Sequence, residues 1–75
     1  MYLVVELQTN EQGVTAFLTD TKATRPAADQ KYHTILAAAA VSGLPIHSAC
    51  IIDPYGQVVI NDAYVNGTRR DEIVE

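Results

Sequence analysis

The chain has 75 residues, with nine acidic and five basic side chains and a formal charge of −4. Its single cysteine, Cys50, excludes an internal disulfide, and so small an acidic chain leaves no room for a second domain or a spacious cleft. Nucleic-acid binding through phosphate neutralisation needs clustered Lys and Arg. Only Arg69 and Arg70 are adjacent basic residues, and Asp71 and Glu72 follow them directly.

The first strand is expected over residues 2–9, where Leu3, Val5 and Leu7 alternate with Tyr2, Val4, Glu6 and Gln8. Asn10 to Gly13 is a turn, and residues 14–20 return as a second strand. A three-residue loop over Glu11–Gly13 sets Leu7 opposite Phe17 and Val5 opposite Thr19. Pro26 then suits the first turn of a helix running to about residue 42, with Gly43 and Pro45 ending it. On that helix Ala28, Tyr32, Ile35, Ala39 and Ser42 share one stripe, with Leu36 at its edge. Residues 46–52 form a third strand. Asp53-Pro54-Tyr55-Gly56 is a turn, and residues 57–65 form a fourth strand. Asn66-Gly67-Thr68 reads as a turn, and residues 66–75 as a polar tail.

The order ββαββ predicts one α+β domain over residues 1–65: a four-stranded antiparallel sheet from two hairpins, with the helix packed on one face. The helix is expected to cover Leu3, Val5, Leu7, Phe17, Ile46, Cys50, Ile52, Val58 and Ile60. Tyr2, Val4, Leu18, Ile51 and Val59 then remain on the open face, with His47 beside them and Tyr55 exposed at a turn tip. Antiparallel sheets that face water usually alternate to polar residues, so these seven are the expected interface residues. Surface scaling sharpens that expectation. Folding hides about 62% of the chain's surface. The buried apolar share is worth about 110 kcal/mol, and ordering the chain costs about the same. A monomer is marginal on those terms, and a homo-oligomer, a dimer first, is expected.

Residues with chemical potential are sparse. Asp29 and His33, four apart on the helix, have the spacing of an acid–base or ion pair. His47 and Cys50, three apart on a strand, fall on opposite faces and make neither a thiol–imidazole dyad nor a metal pair. No phosphate loop, nucleophile elbow or zinc helix occurs in the sequence. No catalytic residue, cofactor or metal site is therefore expected. The N-terminal apolar run is short for a signal peptide, and no apolar stretch approaches the ~20 residues of a membrane span. The expected setting is the cytoplasm, without membrane or nucleic-acid partners.

The stretch Lys31-Tyr32-His33-Thr34-Ile35-Leu36-Ala37-Ala38-Ala39-Ala40-Val41-Ser42, continuing through Pro45-Ile46-His47-Ser48-Ala49, resembles a pattern in small proteins encoded in prophages and mobile elements of Gram-positive gut bacteria. The opening strand Tyr2 to Gln8 is also similar. The resemblance covers more than half the chain. It implies a phage-associated context and a structural role, and it transfers no catalytic residue. The expected function is a small non-catalytic assembly module that self-associates. An acidic adaptor or inhibitor binding a larger protein is one alternative. A minimal enzyme with a site between subunits, built from Asp29, His33 and His47, is another.

Overall fold

The computed structural model describes residues 1–70; the remainder of the expected tail, residues 71–75, lies outside the described residues. The elements are β1 (Tyr2–Thr9), β2 (Thr15–Lys22), α1 (Arg25–Ala39), β3 (Ile46–Ile52), β4 (Val58–Val65) and β5 (Thr68–Arg69). They form one antiparallel five-stranded sheet in the order β2-β1-β3-β4-β5, with α1 against one face.

The β1–β2 loop forms as its residues dictate. Asn10 Oδ1 accepts from the N–H groups of Gln12 and Val14 at 3.0 Å each, and Gly13 takes φ 80°. Leu7 lies opposite Phe17 and Val5 opposite Thr19, as the loop length requires. Asp53 builds the β3–β4 loop in the same way, its Oδ1 accepting from the Tyr55 and Gln57 amides at 2.9 Å each. The expected fourth strand ends at Val65, but the sheet continues. Asn66 and Gly67 both take positive φ, 53° and 83°, and Val65 pairs with Thr68. A two-residue loop with both central residues at positive φ matches strand twist, which is why Asn-Gly closes hairpins. The expected tail therefore begins by adding a fifth strand.

Thr24 caps α1, its side chain accepting from the Ala27 amide at 3.4 Å, with Pro26 in the first turn. Ala28, Tyr32, Ile35 and Ala39 are its buried residues, four of the five in the expected stripe; α1 ends at Ala39, short of the expected residue 42, so Ser42 falls beyond it and is exposed. Ala28, Tyr32 and Ile35 pack on Val4, Ala49 and Ile51.

That contact reverses the expected faces. Val4 and Ile51, placed on the open face by sequence, are 1% and 0% exposed beneath the helix. Tyr2 packs at the margin of the same core. His47 is also buried, and Leu18 shares the helix-side face through its pairing with Glu6. Two physical features account for the reversal. First, β2 and β3 are both antiparallel to β1 and so parallel to each other, which makes α1 a crossover between them. Strand twist makes such crossovers right-handed almost without exception. The twist, rather than the number of apolar residues, selects the face on which the helix lands. Second, a bulge falls between Ile51 and Ile52. Ile52 pairs with Val58, but Ile51 pairs with Ile60, leaving Val59 as the extra residue. Beyond it Ile60, Asp62 and Tyr64 change faces and join Ile51, Ala49 and His47.

Replacing Ile51 by Ala should cost about 2–5 kcal/mol, the range for emptying a buried aliphatic site. The same change at Tyr55, 91% exposed, should stay within about 0.5 kcal/mol. Urea unfolding of the two variants measures both.

Candidate functional site

The face away from the helix carries four cross-strand rows, each crossing β2, β1, β3 and β4 in turn. They are Thr21–Leu3–Ile52–Val58, Thr19–Val5–Cys50–Asn61, Phe17–Leu7–Ser48–Ala63 and Thr15–Thr9–Ile46–Val65. No Asp, Glu, Lys or Arg occurs in any row. The charged strand residues Glu6, Asp20, Lys22 and Asp62 all alternate to the helix side. Phe17 is 68% exposed and Val58 54% exposed, while Val5, Leu7 and Cys50 in the middle are half-buried by their neighbours. At the β4 margin Arg70 Nη2 donates to Asn61 Oδ1 at 3.0 Å. Burial among these side chains pushes the Cys50 thiol above its ordinary value, which keeps it protonated and apolar in character.

A contiguous apolar patch on a small soluble chain usually marks an interface, whereas scattered apolar residues do not. Of the residues the sequence assigned to the interface, Tyr2, Val4, Leu18, Ile51 and His47 belong to the helix side. Val59 sits at the bulge and Tyr55 at the loop tip. The residues of the open face are instead those expected beneath the helix, except Ile60, which the bulge moves across.

A second cluster lies on the helix side. His47, 3% exposed, bridges two partners: its Nδ1 lies 3.0 Å from Ser42 Oγ, and its Nε2 lies 2.6 Å from Glu6 Oε2. Gln8 Nε2 also donates to Glu6 Oε2, at 2.8 Å. Burial pushes the Glu6 carboxyl upward, but hydrogen bonds from Gln8 and His47, with the charges of His47 and Lys31, outweigh it and hold the group below its ordinary 4.5. No spacing rule joins Glu6, Ser42 and His47 in the sequence. The available signal was the pairing itself, since a Glu and a His that alternate into a buried face need each other.

The other expected pairings separate. Asp29 pairs with Arg25 Nε at 2.7 Å, one turn back along α1, instead of His33. His33 is exposed and stacks edge-on against Tyr32, with ring centroids 5.3 Å apart. His47 lies under the helix and Cys50 on the open face, as their spacing requires. A cleft of about 420 Å³ runs between α1 and the β4–β5 end, where Asp62 and Arg69 pair at 2.9 Å. Burial and the Asp62 charge raise the Tyr32 hydroxyl there, against a lowering by Arg69 and Arg70.

No family model matches the chain, and no curated protein or solved structure matches it. No helix among the described residues is long and apolar enough to cross a membrane.

Because the folded chain holds Glu6 below its unfolded value, the unfolded chain binds the proton first as pH falls. The stabilisation from Glu6 is thus complete above the ordinary carboxylate range and is lost as pH drops through the lowered value. Glu6→Gln should flatten this part of the stability–pH curve and leave a less stable protein at neutral pH. Urea midpoints measured from pH 3 to pH 7 test the sign.

Proposed function

We propose that the chain is a small self-associating assembly module, and that two copies meet through the open faces of their sheets. The observation that carries this reading is the run of four cross-strand rows without a single charge. A sheet must cover an apolar face with a second layer, and a lone helix supplies that layer on one side only. A second copy supplies the other.

Charge and dimensions favour a like partner. Each copy carries −4, yet none of that charge sits in the rows, so face-to-face contact of the rows buries no strand carboxylate. At strand spacings of about 4.8 Å and a rise of about 3.3 Å per residue, the face covers roughly 440 Å². Ten of its sixteen row residues are apolar, so the apolar part is about 280 Å², at the lower end of the ~300–600 Å² of the largest apolar patches on monomers, which are often functional. Two such footprints lie at the small end of specific contacts, so a dimer that dissociates in the micromolar range is expected. Aligned sheets pack about 10 Å apart, with their strand directions about 30° apart. The aliphatic side chains of both copies can interdigitate at that separation.

The role of such a module is the contact it makes, in keeping with a structural part in a larger assembly. A prophage or mobile-element setting would suit a chain of this size and resemblance.

Light scattering coupled to size exclusion should give a dimer mass for the native chain at tens of micromolar. Phe17 and Val58 are exposed in the single chain, so changing both to Lys leaves the helix-side core intact while placing charge in the contact. That double variant should run as a folded monomer. A native chain that is monomeric at these concentrations contradicts the proposal, as does a double variant that keeps the dimer mass.

A further inference from the structure

We propose that Ser42 is an acylatable serine, with His47 as its general base and small activated esters as its substrates. The inference stands apart from self-association, because the cluster lies on the helix side of the sheet. Its basis is the order of contacts. Ser42 follows the end of α1, and its residue is exposed to solvent. Its Oγ is 3.0 Å from His47 Nδ1, and the opposite ring nitrogen is 2.6 Å from Glu6 Oε2. A hydroxyl within hydrogen-bond reach of a base, itself oriented by a third group, is the general signature of an activated nucleophile. The imidazole is buried and held at both nitrogens, so its orientation is set before any ligand arrives.

Protonation follows from the same contacts. Glu6 is ionised at neutral pH, held so by Gln8 and His47. In the neutral tautomer of His47 that gives its Nε2–H to this carboxylate, the Nδ1 lone pair faces Ser42. The hydroxyl has two other partners: it accepts from the Leu44 amide at 3.4 Å, and the Ala39 carbonyl at 3.2 Å competes with Nδ1 for its proton. Both are more distant than Nδ1. Glu6 is a positioning residue here, acting through the ring it holds.

In the acylation step a bond forms between Ser42 Oγ and the acyl carbon of the ester, and the bond to the leaving alkoxide or phenoxide breaks. The hydroxyl proton passes to His47 Nδ1 and then to the leaving group. Water completes the cycle by attacking the same carbon: its proton goes to Nδ1 and on to Ser42 Oγ as that oxygen departs.

p-Nitrophenyl acetate and the full-length chain test the proposal. Peptide mapping after brief exposure should place an acetyl group on Ser42. Ser42→Ala should lower p-nitrophenolate release at least about tenfold, and His47→Gln by about a hundredfold, the usual scale of general-base assistance. Thr34→Ala, which alters an exposed hydroxyl on α1 away from the cluster, should leave the rate unchanged. Glu6→Gln should displace the pH profile of the rate as well as its height. Circular dichroism identifies any variant that fails to fold. Ser42→Ala changes an exposed residue, so it keeps the test decisive if His47→Gln unfolds. Acetyl groups confined to lysines, or equal release by the native and Ser42→Ala chains, would overturn the assignment.

Discussion

The structure depends on the contact between a single alanine-rich helix and one face of a five-stranded sheet. Small residues stand on both sides of it, Ala28 on α1 and Ala49 on β3. Side chains this short let the helix approach closely, and Tyr32, Ile35, Val4 and Ile51 fill the remaining space. The charged strand residues belong to this side, where a neighbour or solvent at the margin can satisfy them. Glu6 turns to His47 and Gln8, Asp62 to Arg69, and Asp20 to Lys22. Gathering these charges here leaves the four rows of the opposite face without a charged strand residue, and Arg70 reaches over them to Asn61. The open face and the buried polar cluster are thus two consequences of one choice of side.

Much of the local structure was legible from residue types. The helix stripe followed from the 3.6-residue period, and the β1–β2 register followed from a three-residue loop that Asn10 and Gly13 enforce. These are short-range effects, decided by neighbours a few positions apart. The face on which the helix lands is a long-range property. Leu3, Val5, Leu7 and Phe17 are the more apolar set, and a count of apolar residues puts them inside. The crossover from β2 to β3 answers instead to strand twist, so the sparser set Val4, Ala49 and Ile51 is covered.

The bulge at Val59 compounds the difference. Strict alternation from Val58 carries Ile60, Asp62 and Tyr64 to the side of Ile52, but one extra residue moves all three across. The fifth strand was within reach of the sequence, since Asn66-Gly67 is a hairpin signal in its own right. The Glu6–His47–Ser42 cluster was not, because its members come from β1, β3 and the turn after α1 and meet only when the sheet orders β1 beside β3. Among the described residues the face away from the helix has its expected membership exchanged, and its strand residues carry no charge, with Arg70 reaching over it to Asn61.

Cys50 stands near the middle of that face, between Val5 and Asn61, and reports directly on whether the face is covered. The rate of Cys50 alkylation by a small neutral maleimide, followed across a hundredfold range of protein concentration at fixed pH, is the most direct measurement. If copies meet through the open face, the rate falls as concentration rises, and the Phe17→Lys, Val58→Lys variant reacts quickly throughout. A native rate that is independent of concentration, while scattering shows a dimer, would place the contact on another surface and contradict the assignment of this face.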